Sequence, residues 1–225
     1  MTTAGETHWD NLHAVPGFAP RYPVDAVVRW FFRSFPRISI HDYSILDVGC
    51  GAGRHAMFFA REGVDATACD PSKVGIDLLC RKADVEKLKI QTTIAAANNL
   101  PYRDASFDGV LSWGVLYYLS LDEIVSAVAE MRRVLKVGGH GLVMIKSNMD
   151  VRASGEEISR HRYRITNAPD GMPWRNEIGL ELTLLDRNAV ENIFAGFAQV
   201  SVENSRTTIA NGRYVDDDWH IFFRR

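Results

Sequence analysis

The 225-residue sequence has no apolar run near the ~18 residues needed to cross a bilayer, and its first residues lack the basic-then-apolar pattern of a secretory leader. Those absences lead us to expect a cytoplasmic protein that does not engage a membrane. Cysteine is scarce. Cys50, Cys69 and Cys80 are odd in number and show no C-x-x-C spacing, so neither a disulfide framework nor a structural zinc centre is expected. Seven histidines are scattered without an H-x-x-x-H pair, and no protein-bound metal is expected. A basic excess is missing too: 26 Lys+Arg against 28 Asp+Glu leave a formal charge of −2, so nucleic acid is not an expected partner. What remains is 46% hydrophobic residues over a length suited to one core, which points to a single domain over 1–225.

Between Ile45 and Ile145, short runs rich in Val, Ile and Leu alternate with stretches of helical period, the mark of β-α units around a parallel sheet. Strands are expected near 44–49, 64–69, 90–95, 107–113 and 140–146, and helices near 54–62, 73–87 and 122–135. Ahead of them, Val24, Val27, Val28, Phe31, Phe32 and Phe35 form one helical stripe opened by Pro23, so residues 1–40 read as a lid followed by a helix. Residues 147–182 carry little pattern and read as a cap or insertion over the acceptor site. Within it Arg160, Arg162 and Arg164 alternate; in an extended segment they would present three guanidinium groups to a phosphate, or guard an exposed edge strand. A helix capped by Asp186, a strand from Phe197, a turn at Asn211-Gly212 and a last strand near Trp219 would close the sheet with an antiparallel pair. Asp216-Asp217-Asp218 reads as a solvated turn rather than a metal site.

The densest local signal is Ile45-Leu46-Asp47-Val48-Gly49-Cys50-Gly51-Ala52-Gly53, a strand emptying into a glycine-rich turn that opens a helix. Such glycines allow close approach of backbone to a ligand and φ values closed to other residues. The second apolar run ends at Asp70, where an acceptor for ribose hydroxyls belongs in this kind of fold. An adenosine-containing cofactor follows, although a plain tight turn with Asp70 as a helix cap uses the same residues. Gly51-x-Gly53-x-x-Ala56 also satisfies a dinucleotide fingerprint, so glycines alone leave NAD open. Asp47, two positions before Gly49, favours a cofactor bearing an ammonium, which NAD lacks. A short-chain dehydrogenase would further need a Tyr-x-x-x-Lys pair, and there is none.

On these residues the chain resembles the class I S-adenosylmethionine-dependent methyltransferases, of the small bacterial, small-molecule type. Ile45–Gly53 is similar to that family's first motif and Asp70 to its ribose-binding acid. Asn98 through Asp108 is similar to its adenine-side loop and fourth strand, and Arg133–Gly139 to the turn into its fifth strand. The resemblance implies an α/β, Rossmann-like, seven-stranded and mostly parallel sheet with helices on both faces and an antiparallel C-terminal strand. It implies that Gly49, Cys50, Gly51 and Gly53 line the methionine side, that Asp70 binds the ribose and that Pro71 packs on adenine. Trp113, Gly114 and Tyr118 would lie beneath the sulfonium. Where the family usually has an acid this chain has Ala96, so the adenine amine falls to Ala97, Asn98 and Asn99.

The activity implied is methyl transfer from S-adenosylmethionine to O or N of a small molecule, a sugar or nucleotide-sugar metabolite included, with S-adenosylhomocysteine as product. Tyr118, Lys146 and Arg152, at or after strand ends, are candidates for acceptor contact. Trp9 and Tyr22 are candidates for an aromatic lid over the sulfonium. His55 could touch the cofactor or the acceptor, and no residue is singled out as a catalytic base. An NAD-dependent oxidoreductase and a non-catalytic S-adenosylmethionine-binding module are the competing readings.

Overall fold

The computed structural model describes residues 9–10, 20–169 and 171–225. Ser44–Val48 (β1) sits near the centre of a seven-stranded sheet, and its neighbours arise because its side chains alternate between two apolar layers. Ile45 enters one cluster with Leu111 and Leu142, while Leu46 enters another with Val110 and Val143. Both faces of the central strands are therefore buried, which requires helices on both sides.

After β1 the chain makes helix Arg54–Glu62 (α2; α1 is given below), strand Asp65–Asp70 (β2), helix Lys73–Glu86 (α3) and strand Ile90–Ile94 (β3). It then crosses to the opposite side of β1 as Phe107–Trp113 (β4), followed by helix Leu121–Val134 (α4) and strand Leu135–Lys146 (β5). The spatial order is β3-β2-β1-β4-β5-β10-β9, where β9 is Gln199–Ile209 and β10 is Tyr214–Arg224. β10 runs antiparallel to both β5 and β9. The expected antiparallel closure is thus present, in a hairpin several residues longer than the pattern suggested, because both strands continue to the turn at Ala210–Arg213.

Helix Asp25–Ser34 (α1) packs its Val27, Trp30 and Phe31 face with α2 against one side of the sheet. Phe31 makes ring contacts with Phe58 at 5.2 Å and Phe59 at 5.5 Å. On the other side α4 contributes Ile124, Val128 and Met131, and helix Arg187–Phe194 (α5) contributes Val190 and Phe194. Local chemistry sets the helix starts. Ser120 and Glu123 form a reciprocal capping box on α4, and the Asp186 carboxylate accepts from Ala189 N–H at the start of α5.

Residues 147–182 form a small antiparallel sheet of Glu156–Ser159 (β6), Arg162–Arg164 (β7) and Glu181–Thr183 (β8), with a 3-10 turn at Pro173–Glu177. Its Ile165, Trp174 and Leu182 join the main core cluster, so this cap shares the hydrophobic interior of the sheet. Two members of the arginine row are taken up by the protein, while Arg160 is exposed and donates to His161. Arg162 donates to the carbonyls of Leu119 (2.8 Å) and Tyr118, and Arg164 pairs with Glu156 and Glu181. The reading of Asp216–Asp218 as a solvated turn is corrected. All three lie in β10, and Asp217 is buried because Asn204 and the Asp150-linked backbone hold it.

Phe31→Ala should lower unfolding stability by about 3–5 kcal/mol, since the fully buried ring leaves a cavity between α1, α2 and the sheet; a urea denaturation midpoint unchanged from wild type would contradict this packing.

Candidate active site

Because the chain leaves β1 toward β2 and later returns on its other side as β4, no connection covers the carboxyl tips of β1 and β4. A cavity of about 370 Å³ opens there, a size suited to a small ligand. The glycine loop forms its floor. Gly49, Gly51 and Gly53 have φ of 71°, 52° and 83°, and the Gly49 and Cys50 N–H groups donate to the Cys69 carbonyl at 2.7 and 3.0 Å. A Cβ on Gly49 would come within 2.4 Å of Val115, and one on Gly53 within 2.2 Å of Leu79. At these two positions crowding comes from neighbouring side chains as well as from backbone conformation.

Asp70 ends β2 at the cavity wall, with Oδ2 accepting from Gly51 N–H and Oδ1 from Ser72 N–H, both at 2.8 Å. The carboxylate is thereby held against the loop. Trp9 crosses the opening and meets Tyr118 edge-to-face at 4.5 Å. Its neighbour Asp10 accepts from Ser72 Oγ (2.6 Å) and Val74 N–H (3.1 Å), which pins this short piece to the start of α3. Opposite the loop, Trp113, Gly114, Val115, Tyr117, Leu119 and Met144 make a largely apolar wall.

Of the sequence-derived candidates, Trp9, Gly49, Cys50, Gly51, Gly53, Asp70, Pro71, Ala97, Trp113, Gly114 and Tyr118 line this cavity. Asn98 and Asn99 follow Ala97 just outside its lining, and Tyr22 is an exposed side chain beneath Arg21. Asp47 lies behind the loop, fully buried, and accepts from Ala56 N–H at 3.1 Å. Lys146 and Arg152 are held one layer farther back. Lys146 is enclosed by Asp150, Asp216 and Asp218, and Arg152 by Asp150, Asp216 and Glu177. That carboxylate trio, the one metal-like grouping among the described residues, closes on the Lys146 ammonium. Among the described residues the network's hydrogen bond to the cavity lining comes from Glu177, which accepts from Tyr118 Oη at 3.1 Å, and Tyr117 Oη donates to Tyr118 at 3.2 Å.

Two lining residues were underweighted by sequence. Arg54 is half-buried and makes no hydrogen bond or ion pair among the described residues. His55 is buried with Nε2 unpartnered. Their position, on the first turn after the loop, was the available signal. Burial, reinforced by the Arg54 charge, pushes the His55 imidazole down to about 3, so it is neutral across physiological pH. Burial raises Asp47 to about 7 against the pull of the Ala56 N–H and Arg54, with the Asp70 charge adding to the rise. Burial also pushes the Cys50 thiol well above its ordinary range, leaving it neutral beside the loop.

These two shifts act on stability with opposite sign. Between about 3 and its ordinary 6.5 the unfolded chain protonates His55 and the folded one does not, so stability rises with pH. Between its ordinary 3.8 and about 7 the folded chain keeps the Asp47 proton and the unfolded one does not, so stability falls with pH. Asp47→Asn should therefore make urea midpoints climb more steeply than wild type from about pH 4 to 6.5, and His55→Gln should make them decline across the same window. Parallel curves for all three proteins would contradict these environments.

The family model described as "Methyltransferase domain" matches residues 45–139, from β1 into the start of β5. A probable S-adenosylmethionine-dependent methyltransferase, TehB of Haemophilus influenzae, is 27% identical over 106 residues, 47% of this chain and 37% of that protein. A Xenopus tropicalis tRNA (carboxymethyluridine(34)-5-O)-methyltransferase is 28% identical over 116 residues, 51% of this chain and 17% of that one. The chain thus spans well under half the length of these curated relatives. Among solved structures, the Burkholderia thailandensis 1,6-didemethyltoxoflavin-N1-methyltransferase, with its substrate and S-adenosylhomocysteine bound, superposes with a TM-score of 0.63 at 15% identity, over 89% of this chain and 76% of that one. The matched core, the strand order and the cavity at the point where that order reverses agree: residues 45–139 are similar to the methyltransferase domain of S-adenosylmethionine-dependent enzymes.

Proposed function

We propose that the protein transfers a methyl group from S-adenosylmethionine to an oxygen or nitrogen of a small molecule, a sugar or nucleotide-sugar metabolite being the class in view. The observation that carries the reading is the Asp70 carboxylate, fixed by Gly51 and Ser72 at the tip of β2 on the same cavity as the glycine loop and the Trp113–Tyr118 wall. Asp70 would take the ribose hydroxyls, and Pro71 with the Ala97 backbone would flank the adenine. At the other end, Arg54 supplies a half-buried guanidinium for a carboxylate, and Asp47 a negative field for an ammonium. That opposed pair suits an amino-acid tail, which a nicotinamide cofactor does not have.

The bound donor supplies a methyl group already activated by its sulfonium. The chain's task is then to align the acceptor and exclude water, effects that contribute on the order of 7–11 kcal/mol in the best intramolecular systems. Trp9 over Tyr118 closes the opening, and the ring faces there favour positive charge. The neutral His55 imidazole, 6.3 Å from the Trp113 ring, and the Tyr118 hydroxyl bring polar groups to this lining. No nucleic acid or membrane is proposed as a partner, and a cytoplasmic location accords with the absence of a helix long and apolar enough to cross a membrane among the described residues. The tRNA acceptor named for the Xenopus relative is said of that protein alone, and the formal charge of −2 supports a small molecule over a polyanion here.

Isothermal titration should detect S-adenosylhomocysteine binding and no comparable NAD binding. Asp70→Ala should weaken it at least tenfold, about 1.4 kcal/mol; equal affinity in this variant would sink the assignment. Placing an ammonium near Asp47 favours its charged form, so binding should release a proton and affinity should rise from pH 6 to 7.5 in wild type. That slope should flatten in Asp47→Asn.

A further inference from the structure

A second cavity, of about 420 Å³, lies in the groove between α2 and α3 and meets the donor cavity at Pro20, Ala52 and Arg54. Its charge is one-sided: Arg21, Arg54, Arg61, Arg81 and Lys82 line it against a single carboxylate, Glu86. Glu86 is committed to Arg61, at 2.7 Å. Of the other four cations, Arg54 and Arg81 make no hydrogen bond or ion pair among the described residues. Arg21 lies over the Tyr22 ring at 5.6 Å, and Lys82 donates one hydrogen bond, at 3.0 Å, to the Ala52 carbonyl of the glycine loop.

Acids outnumber bases in the chain as a whole, so this surplus is a local arrangement and not an overflow of composition. Cations gathered in a concave, partly apolar groove focus positive potential, and partly burying Lys82 with no anionic partner among the described residues costs free energy that a bound anion would recover. Guanidinium groups match phosphate oxygens two at a time. Met57, Leu78 and Val85, the last 83% exposed, add apolar surface for the organic part of a ligand.

We propose that this groove binds a small phosphate ester or polyphosphate, carried either by the methyl acceptor or by a separate effector. The site rests on the methyltransferase reading only in its placement: a phosphate held here lies across Arg54 from the donor's amino-acid tail.

The test is calorimetric titration of the full chain with inorganic pyrophosphate, in wild type and in an Arg21→Gln/Arg81→Gln variant that changes two exposed side chains outside the donor cavity. Saturable binding that weakens at least tenfold in the variant, with S-adenosylhomocysteine affinity unchanged, is the expected result. A uridine diphosphate arm separates the sources. Tighter binding than pyrophosphate, with the same penalty in the variant, marks an acceptor reaching from the groove into the donor cavity, and equal affinity marks a free-standing phosphate ligand. No saturable pyrophosphate binding, or binding indifferent to the variant, would overturn the proposal. Failure of S-adenosylhomocysteine to bind wild type would instead sink the methyltransferase reading and leave the pyrophosphate result standing on its own.

Discussion

The cavity at the tips of β1 and β4 depends on one constraint: the glycine loop must turn back over the end of β2 without a side chain in the way. Positive φ values at the alternate residues Gly49, Gly51 and Gly53 let it do so, and the Cys69 carbonyl and Asp70 carboxylate together take the N–H groups of Gly49, Cys50 and Gly51. The loop is thus paired to the neighbouring strand by backbone donors that would otherwise be buried and unmatched, at a cost of about 1–3 kcal/mol each. Asp47 completes this from behind through Ala56, tying the loop to the first turn of α2. A ligand-binding surface made this way is already ordered before anything binds, so little of the binding free energy is lost to ordering it.

A second organising feature is the ion network around Lys146 and Arg152. Isolated buried charges are expensive, and here each is matched by more than one opposite group. The residues come from β5, from the segment after it, from the cap and from β10, so the network works as a joint between the sheet and the cap. Glu177 connects this joint to Tyr118 and Arg162 connects the cap to the carbonyls of Tyr118 and Leu119. The Tyr118 end of the cavity wall is consequently tied to the cap, which lies outside the residues the family model matches.

How much of this could be read from residues alone follows from the range of the interactions. The β-α alternation from Ile45 to Ile145 depends on side-chain period, a local property, and the strands near 44–49 and 107–113 and the helix near 54–62 stand where the pattern places them. The glycine loop and Asp70 were legible because turn geometry demands particular residue types. The cap was not, since β7 is three residues long and is held by Arg162 bonds to carbonyls over forty positions away. Asp216–Asp218 misled for the same reason: an acidic triplet after Asn-Gly looks solvated until Lys146 and Arg152 arrive from other segments. Lys146 and Arg152 invited a ligand-facing role by standing at or after a strand end, whereas their charge is absorbed within the protein. Arg54 and His55 went underweighted because nothing in their spacing distinguishes a lining residue from an ordinary first-turn residue.

The contact of Asp10 with Ser72 and Val74 has a kinetic side. Two hydrogen bonds to one carboxylate hold Trp9 across the mouth, and local openings of that kind cost far less than unfolding the sheet beneath. A ligand entering the cavity as proposed would have to pass the indole, so the contacts that hold this short piece would bear on how fast it exchanges.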